Sequence, residues 1–431
     1  MPSTTKNTAR LLAVGDIHLG RRPSRVPDDL DTRPLTPAAA WRRTVDKAIA
    51  LQVDAVVLAG DVIESPKDRF EAYPVLEAGV TALLEAQIRV LGVAGNHDVD
   101  ALPRLASRIE GFHLLGAGGV WEAVDVAGVR VLGWSFPTQV VRHDPLDSPE
   151  PARLAADARG AVIGLLHCDR DQSGSHYAPT TSARIAAAPG DAWLLGHIHR
   201  PDALHRHPRG YLGCLSGMDP GEPGARGPWL ITVAGAGDVT AEQLPLAPIR
   251  YEHVELNVEA LGASEAVGEE LADVAGDALR DALDAHHALI FTEGLQAVAA
   301  RVLLTGRVLR RSEVIDAFRA AKPSARQQRD GVEWFVEAIK DRTRSAADLG
   351  RLAVGRHPAA ALARRILALQ STEDAEGDRL VREGGAKLRQ AASVGAWRDI
   401  EPADLSDEAV RAQLLQAGYD ALEALEGSKA P

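Results

Sequence analysis

The sequence has little that would let it work at a membrane, in an oxidising compartment or along the length of a nucleic acid. Cysteine is almost missing: Cys168 and Cys214 are the only two in 431 residues, too few for a disulfide framework. No apolar run approaches membrane-spanning length. The first, residues 11–14, is broken at Asp16, and Met1-Pro2-Ser3-Thr4-Thr5-Lys6 lacks the basic–apolar–small order of a secretory leader. The cytoplasm is therefore the expected compartment. Positive charge is also short, with 48 Lys and Arg against 60 Asp and Glu and a formal net charge of −12. That argues against a surface gripping phosphates along its whole length, but not against a local basic groove or a partner that supplies one. Aromatic residues are only 4% of the chain, so a base-stacking platform is not expected.

What is present is the composition of an ordinary globular protein, long enough for two or three domains. Residues 11–14 read as a strand running into Gly15-Asp16-Ile17-His18, and residues 21–37 as a loop rich in Pro, Asp and Arg. Trp41, Val45, Ala48 and Ile49 recur at helical spacing over 37–51. A second buried strand, 54–59, runs into Gly60-Asp61. A helix over about 73–86 then leads to a strand, 88–94, and to Gly95-Asn96-His97-Asp98. This is a βαβαβ pattern, and in open α/β sheets ligands bind at the carboxyl ends of strands. Further strands are expected at 129–134, 161–166, 192–195, 211–215 and 229–233; the second of these ends in His167 and the third in Gly196-His197-Ile198-His199. After about residue 246 the texture changes to a strand at 251–258, a helix at 264–286, a strand at 297–305 and a strand or helix at 332–339. Helices follow from 346, then a solvated tail at 427–431.

The strand ends collect Asp16, His18, Asp61, Asn96, His97, His167, His197 and His199. Asp and His two apart on an extended segment point the same way, so Asp16 and His18 can share an ion, and the same can be argued for His197 and His199. Carboxylate, amide oxygen and imidazole without thiolate suit Mn²⁺, Fe²⁺ or Zn²⁺ in five- or six-coordination. A set of this size exceeds one ion with an open position and suits two, with Asp61 as the bridge. Cys168, next to His167, reads as a small buried side chain. The remaining histidines read as surface or structural. Arg200, Arg206 and Arg209, with His205 and His207, form a basic cluster expected beside the site.

These motifs, in this order, resemble the five motifs of the calcineurin-like metallophosphoesterases over roughly residues 10–235. The resemblance implies a four-layer α/β/β/α sandwich and two divalent ions, Mn²⁺ foremost. Asp16, His18, Asp61 and His199 would hold the first ion; Asp61, Asn96, His167 and His197 would hold the second. His97 would face the substrate phosphate and Asp98 would aim it, with a metal-bridging hydroxide attacking in line. The layout further resembles SbcD-type DNA repair exonucleases. It implies a catalytic domain over 1–246, a small α+β cap reading DNA over 247–345, and C-terminal helices over 346–431 docking an SbcC-type coiled-coil ABC ATPase. DNA, that ATPase and a second copy of the chain are the expected partners, and no membrane. Glu64 departs from the Asp or His that such nucleases often carry three residues after the bridging aspartate. The alternatives are a small-molecule phosphodiesterase or nucleotide phosphatase of the same fold, and a non-catalytic scaffold, against which the complete ligand set counts.

Overall fold

The computed structural model describes residues 8–172, 174–262, 265–290, 294–308, 310–346, 349–371, 373–392 and 405–427. Residues 1–6, Ser264 and the tail expected after 427 lie outside them. Two compact units divide the chain: 1–252 with 289–300 and 327–337, and 253–288 with 301–326 and 338–431.

The first unit opens with β1 (Ala9–Val14), α1 (Pro37–Leu51), β2 (Ala55–Leu58), α2 (Arg69–Glu85), β3 (Arg89–Gly92), α3 (Leu102–Ala106) and β4 (Phe112–Leu114). It continues with β5 (Trp121–Val126), β6 (Val129–Trp134), α4 (Glu150–Ala156), β7 (Val162–His167), α5 (Ser182–Ala187), β8 (Ala192–Gly196), β9 (Arg209–Tyr211), β10 (Trp229–Gly235) and β11 (Asp238–Gln243). Two sheets result, ordered β11-β10-β1-β2-β3-β4 and β5-β6-β7-β8-β9. In the first, β1 to β4 run parallel and β10 lies antiparallel on β1; in the second, β6 to β9 are parallel.

Both faces of the central strands β1, β2, β3, β6, β7 and β8 are largely buried, and the period of two assigns each residue its layer. Leu11, Ala13, Ala55, Val57 and Leu91 face the other sheet, meeting Val131, Ile163, Leu165 and Leu194. Leu12, Val14, Val56, Leu58 and Val90 face outward and are covered by Trp41 and Val45 of α1 and by Leu76, Val80 and Leu83 of α2. On the second sheet, Trp134, Leu166, Trp193 and Leu195 are covered with Ile185 of α5. The result is the expected four-layer α/β/β/α sandwich. Thr36 caps α1, its side chain accepting from the Ala39 N–H, and Pro37 occupies the first turn.

The remaining elements are β12 (Ile249–Asn257), α6 (Glu259–Gly262), α7 (Gly268–His287), β13 (Ala297–Thr305), β14 (Arg307–Val308), α8 (Arg311–Ala321), β15 (Gln327–Arg329), β16 (Val332–Asp341), β17 (Arg344–Ser345), α9 (Leu349–Ala353), α10 (Pro358–Gln370), α11 (Ala375–Ala392) and α12 (Asp407–Gly427). A four-stranded sheet is ordered β12-β13-β16-β15, which resolves 332–339 as strand. Within the second unit, Ala359, Ala363 and Ile366 of α10 pack on Tyr419 and Leu422 of α12, and Leu369 meets Val381 of α11. Among the described residues no helix is long and apolar enough to cross a membrane.

Candidate metal centre

The carboxyl ends of β1, β2, β3, β7 and β8 converge, and the backbone there is bent hard. Asp16, His18, Asp61 and His197 all have positive φ (38°, 53°, 47° and 104°), a region that side-chain-bearing residues avoid. The expected extended i, i+2 geometry at Asp16 and His18 is thus replaced by two left-handed residues. The turns are tied to one another: the His18 N–H donates to the Asp61 carbonyl at 3.0 Å and the Leu19 N–H to the Val62 carbonyl at 2.9 Å. The His197 N–H donates to the Asp16 carboxylate at 2.9 and 3.2 Å, and the His97 N–H to Asp61 Oδ1 at 3.0 Å. Glycine is required before the ligands because the cluster leaves no room. A Cβ on Gly95 would lie 2.2 Å from Asp61 Oδ1, and one on Gly196 would lie 2.1 Å from the Ala59 carbonyl oxygen.

The seven expected ligands fall into two sets. Asp16, His18 and His199 bring ligand atoms within 4.8 Å of one another, as do Asp61, His167 and His197; Asn96 joins the second set, its Oδ1 3.0 Å from His167 Nε2. His197 and His199 therefore separate into different sets. Asp16, Asp61 and His167 are buried, whereas His97 is exposed at the rim.

Whether cations fit is decided by where the protons are. His199 Nδ1 donates to Glu222 Oε1 at 2.5 Å, and His18 Nδ1 lies 2.7 Å from Glu64 Oε2. The Glu222 carboxylate only accepts, so in the neutral ring His199 Nε2 carries a lone pair, and it faces His18 Nε2 at 3.0 Å. Likewise His167 Nδ1 donates to the Ala59 carbonyl at 3.0 Å, leaving Nε2 pointed at Asn96 Oδ1 and, at 3.3 Å, at Asp61 Oδ2. Ring nitrogens and side-chain oxygens gathered this closely need a proton or a cation between them. Separations near 3.0 Å match the edge of an octahedron with bonds of about 2.1 Å.

The titration directions agree. Burial works against charging His167, but Asp61 and Asp16 outweigh it and raise the imidazole to about 9, a proton standing where a cation fits. His197, half-buried and facing a positive His167, is pushed down to about 3 and stays neutral. Burial raises Asp16, whereas the neighbouring imidazoles hold Asp61 low against the same penalty.

Two residues act differently from the sequence-based expectation. Asp98 does not aim His97. Its buried carboxylate accepts the Gly95 N–H at 2.8 Å and the Val62 N–H at 2.6 Å, bracing the turn, and burial with the Asp61 charge raises it to about 7. His97 is held instead by the Glu64 carbonyl, which takes Nδ1–H at 2.8 Å. Glu64, the departure from the nuclease pattern, turns its carboxylate inward to His18.

Glu222 was not singled out by any motif. It holds His199, accepts the Met218 N–H at 2.6 Å, and is brought to about 2 by His199 against the opposing effect of burial. Cys168 is buried among apolar residues, as expected, and burial pushes its thiol up. Arg209, from the basic cluster, is engaged elsewhere: it donates to the carbonyls of Ile185 (2.8 Å), Ala188 (2.9 Å) and Gly190 after α5.

Comparison with known proteins shows what these residues are similar to. Residues 9–201 match the model of the calcineurin-like phosphoesterases. An uncharacterised metallophosphoesterase, YhaO of Bacillus subtilis, is 26% identical over 247 residues, covering 51% of this chain and 55% of its own. The DNA double-strand break repair protein Mre11 of Aeropyrum pernix is 26% identical over 206 residues, covering 44% of this chain and 49% of its own. The chain thus spans about half the length of the curated relatives it matches. Among solved structures, the calcineurin-like phosphoesterase YfkN of Bacillus subtilis aligns at TM-score 0.35 and 14% identity, covering 65% of this chain and 99% of its own. A dimetal phosphatase from Danio rerio aligns at TM-score 0.32 and 13% identity, covering 55% and 98%. The family match begins at the first strand and ends two residues past His199, so the segment that is similar to the calcineurin-like phosphoesterases contains all seven candidate ligands.

Proposed function

We propose that this metallophosphoesterase is a Mn²⁺-dependent nuclease acting on DNA in repair, resembling the SbcD type. The observation that carries its phosphoester chemistry is the meeting of metal-ligating atoms, His18 Nε2 with His199 Nε2 and His167 Nε2 with Asn96 Oδ1, beside an exposed His97. Asp16, His18, Asp61 and His199 would hold one cation, and Asp61, Asn96, His167 and His197 the other. When bound, such a pair supplies an activated water and neutralises phosphoryl oxygens. The chain's own residues do the rest. With Nδ1–H on the Glu64 carbonyl, His97 keeps Nε2 for the substrate, where its protonated form stabilises charge on a phosphoryl oxygen or passes a proton to the leaving oxygen. Asp98 keeps that turn in place through Gly95 and Val62.

DNA as the substrate is supported by the Mre11 relative, which is named as a double-strand break repair protein. In this reading residues 247–345 recognise DNA and 346–431 dock a coiled-coil ATPase. A small-molecule phosphodiesterase or nucleotide phosphatase would need neither. Purified protein with Mn²⁺, alone and with such an ATPase, is expected to degrade linear and hairpin DNA. Hydrolysis of bis-p-nitrophenyl phosphate with both DNAs left intact would transfer the assignment to the small-molecule reading.

A further inference from the structure

Leu19, Gly20 and Arg21 run straight on from His18 into a cavity of about 280 Å³ that four arginines line: Arg21, Arg22, Arg33 and Arg42. Two of them are answered by carboxylates. Arg33 forks onto Asp31, with Nε 2.9 Å from Oδ1 and Nη2 2.8 Å from Oδ2, and Arg21 Nη1 lies 3.4 Å from Glu222 Oε1. Arg22 and Arg42 are exposed and have no carboxylate partner among the described residues. Glu71 is the sole acid in the lining, and nearby Asp68, packed against Gly20, accepts from the Ser65 hydroxyl at 2.5 Å. In a chain whose acids outnumber its bases by 60 to 48, unanswered guanidinium groups gathered on one cavity repel one another with only Glu71 in the lining to offset them. Leu19, Ala72 and Val75 give the same cavity an apolar side. Guanidinium forks beside an apolar wall fit a phosphate carried on a sugar. Arg21 also joins the cavity to the metal centre, because its partner Glu222 is the residue that holds His199.

We propose that this arginine cavity is a subsite for a second phosphate of the substrate, neighbouring the one that is cleaved. It rests on the phosphodiesterase reading above and narrows the substrate class to molecules with linked phosphates, a nucleic-acid strand foremost. Arg22 and Arg42 are the positions that discriminate these from compounds carrying one phosphate.

The test compares wild type with the pair Arg22→Ala/Arg42→Ala and the charge-keeping pair Arg22→Lys/Arg42→Lys. Binding of 5′-fluorescein-labelled tetrathymidylate without added metal is read by anisotropy over a salt series. Hydrolysis of bis-p-nitrophenyl phosphate and of tetrathymidylate is read with Mn²⁺. The alanine pair is expected to weaken tetrathymidylate binding by at least about tenfold and to lower the salt slope by about two, and the lysine pair to recover most of both. Its loss of kcat/KM should be at least about tenfold greater on tetrathymidylate than on bis-p-nitrophenyl phosphate. Unchanged binding in the alanine pair, or equal losses on both substrates, overturns the subsite. Arginine-dependent binding by a protein that hydrolyses neither substrate supports the anion site and overturns the catalytic reading instead. Tripolyphosphate as competitor separates the two sources of linked phosphate: weak competition assigns the cavity to a strand, and strong competition to a small polyphosphate.

Discussion

Glu222 shows how much of a metal centre can lie behind its ligands. It fixes the tautomer and orientation of His199 from outside the matched segment, and removing such a partner lowers metal affinity by about 10–100-fold. Glu222→Ala is therefore expected to lower Mn²⁺ affinity by that factor in a chelator competition, with Glu222→Gln, which still accepts a hydrogen bond, losing less. Equal affinity in all three proteins would mean that the contact does not hold the ligand. His97 has the opposite profile: His97→Ala should keep both ions and lose turnover, and loss of metal would contradict its place at the rim. The raised His167 gives a pH signature. Without metal, this ring holds its proton up to about 9, so metal uptake below that pH must displace it. Affinity should rise with pH toward 9 and flatten above. Calorimetry at pH 7.5 in buffers of different ionisation enthalpy should register proton release, and none would sink the idea.

The elements do two jobs here, carrying layers and ending in the right place, and these were unequally legible in the sequence. The strand ends could be read because an apolar run that stops at Gly-Asp, Gly-Asn-His or Gly-His lies within a single window. Thr36-Pro37 marks the start of α1 just as plainly. Glu222 could not be read: it stands 23 residues from its partner in a loop with no periodicity. Nor could the left-handed backbone at Asp16 and His18, since Asp and His after a strand are compatible with extended structure. The edge strands β4, of three residues, and β5, only partly buried, lack the apolar alternation that reveals their neighbours. Close packing at the strand ends makes the glycines sensitive. Gly95→Ala must push a methyl group into Asp61 and should abolish metal binding while far-ultraviolet circular dichroism is retained. In the second unit, buried Arg311 is paired with both Asp341 and Asp420 and donates to the Thr343 hydroxyl at 3.0 Å. Asp341→Ala leaves that guanidinium short of a partner and should cost roughly 3 kcal/mol in denaturant unfolding, with a loss below about 1 kcal/mol contradicting the pairing.

At the scale of the whole molecule, a centre that gathers ligand atoms this closely makes stability depend on cations. Ions that bind only the folded chain add about 2.7 kcal/mol at a hundredfold excess over Kd, so Tm should rise with Mn²⁺ and fall with EDTA; a Tm indifferent to both would argue against the site. The left-handed residues extend this to descent. Asp16, His18, Asp61 and His197 hold a conformation that glycine or asparagine adopts more readily, and Asn96, His167 and His199 do not. A lineage released from the chemistry would therefore relieve strain by replacing His18 or His197, whereas replacing Asp16 or Asp61 would also lose the bonds their carboxylates accept from the His197 and His97 N–H groups. Lapsed relatives should be recognisable by glycine or asparagine at position 18 and glycine at position 197 while the remaining ligands still stand, a record of lost activity ordered by backbone strain.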